Sequence, residues 1–95
     1  MRKMELKIAE AFREGRATKI SNTEVRVTAD GSVIMLLHGN VIAVKENGKT
    51  SVTFSGWVTR TTCSRLRAIG VMASIERGLP YINGRAVTST EIVSV

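Results

Sequence analysis

Apolar residues recur at Met4, Ile8 and Phe12, with Ala9 beside them and Lys, Glu and Arg in between. Four-residue spacing lays them along one stripe of an α-helix, and predicts a helix over 2–14 that Gly15 stops at its C-terminal end. Downstream the period changes. Between residues 23 and 55, short runs rich in β-branched residues are separated by Asp30-Gly31, Gly39-Asn40 and Asn47-Gly48. Such dipeptides tolerate the positive φ of two-residue hairpin loops, so the segment predicts a four-stranded antiparallel meander.

Each loop fixes a register. Across the first, Val27 is expected to face Ile34 and Val25 to face Leu36; across the second, Leu36 faces Ala43 and His38 faces Val41. Across the third, Ala43 faces Val52 and Val41 faces Phe54. One sheet face then collects Val25, Val27, Ile34, Leu36, Val41, Ala43, Val52 and Phe54 without a charge. The opposite face carries Val33, Met35, Leu37, Ile42 and Val44 at its centre, with Glu24, Arg26, Thr28, Ser51 and Thr53 toward its edges. An apolar stripe of that size is seldom left in water. The N-terminal helix, or failing that a second copy of the chain, is expected to cover it, which makes Met35, Leu37, Ile42 and Val44 candidates for a protein-interaction surface.

Beyond the meander, Trp57 reads as an anchor at the sheet corner, followed by a cluster of hydroxyls at Thr59, Thr61, Thr62 and Ser64. Thr61 or Thr62 is suited to cap a short helix over 61–69, with Gly70 as its stop. Leu66 and Ile69 would face inward, while Arg60, Arg65 and Arg67 reach water. Val71, Ala73 and Ile75 alternate with Met72, Ser74 and Glu76, a strand pattern. Gly78-Leu79-Pro80 turns the chain into Tyr81-Ile82, and Asn83-Gly84 turns it again, giving a C-terminal hairpin over 71–87. Residues 88–95 suit an edge strand or a tail. The order α-β-β-β-β-α-β-β makes this an α+β fold, with residues 1–95 as a single domain.

The combination of His38-Gly39-Asn40-Val41-Ile42-Ala43, Gly56-Trp57-x-Thr59-x-Thr61-Thr62-x-x-Arg65-Leu66 and Tyr81-Ile82-Asn83-Gly84 resembles a family of small phage-encoded proteins. The likeness covers residues 22–85, with the G-W-x-T-x-T-T-x-x-R-[LI] segment as its core. It implies a viral accessory role and brings no catalytic residues with it. This chain departs from the pattern at Cys63 and Ser64, where the family is more often charged.

Composition narrows the classes. Apolar residues make up 43% of the 95, but only Phe12, Phe54, Trp57 and Tyr81 are aromatic, so the core must be aliphatic. No apolar run approaches the roughly 20 residues of a membrane span, and the basic start Met1-Arg2-Lys3 lacks the apolar segment of a signal peptide. Cys63 stands alone, which excludes an internal disulfide and fits a reducing compartment, the cytoplasm of a bacterial host. The net charge of +6 suits a polyanionic partner.

Candidate chemistry falls largely by elimination. General acid–base catalysis needs a pair of titratable groups held together, and His38 is the one histidine; a structural, hydrogen-bonded role is expected for it. Cys63 lies where a helix start can lower a thiol pKa, but nothing in the sequence brings it to His38. One Cys and one His match no zinc spacing, and neither phosphate-loop nor dinucleotide glycine motif occurs. No enzyme activity, metal or cofactor is therefore expected. What remains is the junction after Trp57. A helix start with Thr61, Thr62, Arg60, Arg65 and Arg67 can hold an anion through N–H groups, hydroxyls and cations, with Arg77 and Lys49 as further contacts. The expected function is stoichiometric binding to nucleic acid or a nucleoprotein. The alternative is a protein–protein inhibitor of a host defence or takeover target, acting on an acidic host protein, as monomer or homodimer. No membrane partner is expected.

Overall fold

The structure is a computed structural model, and it describes residues 2–95. Helix α1 (Lys3–Glu14) forms where the four-residue spacing predicts it, and buries Ile8, Ala9, Ala11 and Phe12. Glu5 reaches back to accept the Arg2 N–H at 3.1 Å, closing one of the donors that a helix start leaves open. At the other end Gly15 takes φ 70°, the left-handed conformation of a helix stop. Lys45 donates to the carbonyls of Phe12 and Arg13 at 2.9 and 2.8 Å, so a sheet residue satisfies the last turn of the helix.

Nine strands follow α1: β1 (Thr18–Ile20), β2 (Thr23–Val27), β3 (Val33–Leu37), β4 (Asn40–Glu46), β5 (Lys49–Val52), β6 (Ala73–Glu76), β7 (Leu79–Ile82), β8 (Arg85–Ala86) and β9 (Val93–Ser94). Helix α2 (Arg60–Ala68) lies between β5 and β6. A six-stranded antiparallel sheet has the order β1-β2-β3-β4-β5-β9, and a three-stranded one the order β6-β7-β8. The architecture is α+β, with the expected meander, inter-sheet helix and C-terminal hairpin. Three strands extend it, with β8 adding a third strand to the hairpin. Ser21, at φ 54°, turns β1 onto β2, and the C-terminal residues take the edge-strand alternative, pairing Val93 with Val52.

The register of the meander corrects the expected one in its first two turns. Asp30-Gly31 is not a two-residue loop. Thr28 donates its N–H to Ser32 O at 2.8 Å, and the Asp30 carboxylate accepts from the Ser32 N–H at 3.1 Å and from the Thr28 hydroxyl. The side chains close a five-residue loop, so Val27 pairs with Val33 and Val25 with Met35. One residue of slip moves every β3 side chain to the other face. The second turn is His38-Gly39, both at positive φ (51° and 79°), with Leu37 opposite Asn40. A bulge at Met35/Leu36, where Ile42 is the extra residue of β4, puts Ala43 opposite Met35, and the third turn pairs Ala43 with Val52 as expected.

The consequence is an exchange of faces. Val33, Met35, Leu37 and Ile42 join Val25, Ala43, Val52 and Phe54 in one core beneath the helices, with Ile8, Phe12, Cys63, Leu66 and Ile82. Ile34, Leu36, Val41 and Val44 lie outside that cluster. The N-terminal helix thus covers the stripe it was expected to cover. Met35, Leu37 and Ile42 are at most 4% exposed, so as a contact surface the expected set is overturned. Half-buried Val44 is the member left accessible.

Candidate functional site

The segment between β5 and α2 is held by its backbone. Ser55 and Gly56 turn the chain at φ 54° and 82°, and the Gly56 N–H donates to Ser89 O at 2.8 Å. Trp57 donates its N–H to Phe54 O at 2.9 Å, while its carbonyl accepts from the Thr59 N–H and the Thr62 hydroxyl, both at 3.0 Å. The indole itself is 58% exposed. Trp57 is therefore no core anchor: the large apolar corner residue is Phe54, which is fully buried.

Helix α2 begins one residue earlier than the sequence suggests. Thr59, in extended backbone geometry, is the N-cap, and its hydroxyl accepts from the Thr62 N–H at 3.2 Å. Thr61 and Thr62 fall inside the first turn. Thr62 is fully buried, with its hydroxyl committed to Trp57 O, so it is not available to an outside ligand. The helix ends as a Schellman motif: Gly70 N–H donates to Arg67 O at 3.0 Å, and Val71 N–H to Leu66 O at 3.1 Å.

Arg65 leaves the expected anion site altogether. It is 4% exposed and donates to Glu5 Oε2 at 3.0 Å, Thr23 Oγ1 at 2.8 Å and Asn22 Oδ1 at 3.3 Å. The Ser64 hydroxyl also donates to Glu5. Burial pushes the Glu5 carboxyl pKa up, but the hydrogen bonds from Ser64 and the Arg2 N–H, with the charge and N–H of Arg65, outweigh it and hold the pKa below its ordinary value. This is a structural clamp that ties α1, α2 and β2 together. With each of its three nitrogens bonded inside the fold and 4% exposure, this guanidinium is out of reach of a phosphate.

Two grooves flank the start of α2. An apolar cleft of about 280 Å³ is lined by Leu37, His38, Asn40, Ile42, Trp57, Thr59, Thr61 and Thr62. The second groove is more polar and is lined by Arg60, Cys63, Ser64, Arg67, Ser74 and Ile75. Arg60 and Arg67, seven residues apart, share one helical side, and Arg67 is steadied by donating to Ala73 O at 2.7 Å. Arg77 lies exposed in the β6–β7 turn of the same small sheet. Lys49 starts β5 opposite Glu46, on the larger sheet, and lines neither groove. His38 and Cys63 line different grooves. Burial raises the Cys63 thiol pKa, with the Arg67 charge opposing it, so the lowered pKa that a helix start can provide is overridden.

Ion pairing takes up most of the glutamates. Among the described residues, Glu5, Glu10, Glu14, Glu24 and Glu91 are engaged by Arg65, Arg16, Arg26 and Arg85. Arg60, Arg67, Arg77 and Lys49 have no ion-pair partner among those residues. The candidate feature missed in the sequence is the cleft, because the exposure of Trp57 and the approach of the His38-Gly39 turn both depend on tertiary placement. Its only sequence signal was the coincidence of His38-Gly39-Asn40 with the Gly56–Thr62 segment in the same family pattern.

No helix among the described residues is long and apolar enough to cross a membrane. No curated protein and no solved structure matches the chain. Residues 1–92 match the phage family described as Kyanoviridae Gp96 protein, and over that length the chain belongs to it.

Proposed function

We propose that this phage protein acts without catalysis, by stoichiometric binding of nucleic acid or a nucleoprotein in the cytoplasm of the bacterial host. The observation that carries the reading is the α2 groove, where Arg60 and Arg67 line one side with no acid beside them. With a net charge of +6, and five of the glutamates engaged internally, cations are left without an acidic partner. Cations of this kind release counterions from a phosphate backbone, so affinity falls steeply with salt. Arg60→Ala with Arg67→Ala is expected to weaken binding across all sequences tested and to reduce the salt slope by roughly 1 per lost phosphate contact. Binding that is insensitive to salt, or unchanged in the double variant, refutes the reading.

A second reading, a protein–protein inhibitor of a host target, is favoured by the outer sheet face. Ile34, Val41 and Val44 are half-buried there, and Ile92 is 73% exposed. Salt-insensitive capture of a host protein, lost on Val44→Asp and kept in the arginine variant, would select it.

A further inference from the structure

The apolar cleft beside Trp57 has features the basic groove does not explain. Its floor is Leu37 and Ile42, both almost fully buried, and one wall is an indole that the fold leaves in water. The Trp57 backbone is pinned by hydrogen bonds at its N–H and carbonyl, so the ring is presented from a fixed base. An exposed aromatic on a fixed backbone, beside a buried aliphatic floor, suits stacking. The rim is polar in a limited way. The Asn40 amide N–H donates to His38 O at 3.4 Å, leaving its carbonyl oxygen free, and the Nε2 of His38 faces Asn22, leaving Nδ1. Thr61 adds a half-buried hydroxyl. The cavity, about 280 Å³, lies at the small end of ligand sites, which run from ~300 to 1,000 Å³. It has room for one flat ring system and not for a helix or a strand.

Charge decides between flat rings. Thr59 and Thr61 line the cleft, while Arg60, between them, lines the neighbouring groove with Arg67. A ligand whose ring enters the cleft therefore lies against the segment that carries Arg60, which has no ion-pair partner among the described residues. That complements a phosphodiester and offers nothing to a carboxylate-free aromatic side chain. Resting on the basic-groove reading above, we propose that the Trp57 cleft receives one unstacked base of a single-stranded nucleic acid, with its phosphates on Arg60 and Arg67. A base inside a duplex cannot enter, because its faces are already stacked. The protein thus distinguishes single strands from duplexes, and base-bearing strands from bare phosphodiester.

Trp57 is the chain's one tryptophan, so its fluorescence reports the cleft directly. The test titrates the full chain with three probes of equal length: a single-stranded oligonucleotide, the same strand with abasic sites throughout, and a blunt duplex. Binding is followed both by indole emission and by anisotropy of a labelled probe. The proposal expects quenching by the single strand alone, and a loss of its affinity of roughly five- to a hundredfold on Trp57→Ala, with Trp57→Phe retaining most of it. Trp57→Ala should leave abasic-strand binding unchanged. Equal quenching and affinity for the base-bearing and abasic strands, or an unaltered affinity in Trp57→Ala, overturns the base pocket while leaving the basic groove intact. Quenching by a peptide carrying a free Phe or Tyr ring, with none by the oligonucleotide, overturns it in favour of a protein ligand. Failure of all three probes to bind at low salt removes both readings.

Discussion

Arg65 and Glu5 stand sixty positions apart in the chain and meet at 3.0 Å where both side chains are at most 5% exposed. Around them Thr23, Asn22, Ser64 and the Arg2 N–H occupy the remaining hydrogen-bonding positions. A buried pair of this kind is costly to form, and costlier to break on one side only. Arg65→Ala or Glu5→Ala alone is expected to destabilise by about 3–5 kcal/mol, because each strands a charge. Replacing both with apolar residues, Arg65→Met with Glu5→Leu, should restore most of that loss. Urea unfolding of the three variants checks the expectation. Similar losses in the double variant and the singles would contradict it.

The same pair sets an acid limit. The Glu5 pKa is lower in the folded chain than in the unfolded one, so its contribution is fully present above the ordinary glutamate value of about 4.3. It is lost as pH falls through the lower folded value, where protonation removes the partner of Arg65. Glu5→Gln should be less stable than wild type at neutral pH, and its stability should fall less between pH 5 and the acid limit. Thermal unfolding at a series of pH values reads both slopes. Parallel curves would show that Glu5 carries none of the acid sensitivity.

The start of α2 separates Thr59 from the two threonines, Thr61 and Thr62, expected to cap it. Thr59, Thr61 and Thr62 are all good caps by type, and only the extended backbone of Thr59 assigns it the role. Thr59→Ala should cost about 1 kcal/mol through the orphaned Thr62 N–H, while Thr61→Ala, whose hydroxyl has no partner among the described residues, should be nearly neutral. Equal effects in chemical denaturation would place the cap elsewhere.

Element types were legible in the sequence because they depend on local pattern: the spacing of Met4, Ile8 and Phe12, and the turn pairs of the meander. Long-range facts were not. Arg65 carries the same label as Arg60 and Arg67 in a basic helix, and only the approach of α1 reveals that Glu5 claims it. Trp57 was read as buried because large apolar residues usually are, yet Phe54 already fills the corner. The Thr28–Ser32 loop was misjudged because Asp30-Gly31 suits a two-residue turn by conformation. Its hydrogen bonds to Thr28 and Ser32 instead select a longer one. That single side-chain preference reversed the faces of β3.

The reversal can be read out in stability. With Met35 fully buried among the core residues, Met35→Ala should cost about 2–5 kcal/mol by leaving a cavity. Its neighbour Ile34 lies outside that cluster and is half-buried, so Ile34→Thr, which keeps the β-branch, should cost under about 1 kcal/mol. The register expected from a two-residue Asp30-Gly31 turn puts Ile34 with Val27 on the charge-free face and Met35 on the face the helix covers, so it expects a comparable cost at both positions. Two denaturation curves therefore distinguish the registers. A loss for Ile34→Thr as large as that for Met35→Ala would return Ile34 and Leu36 to the core, and with them the register expected from the two-residue turn.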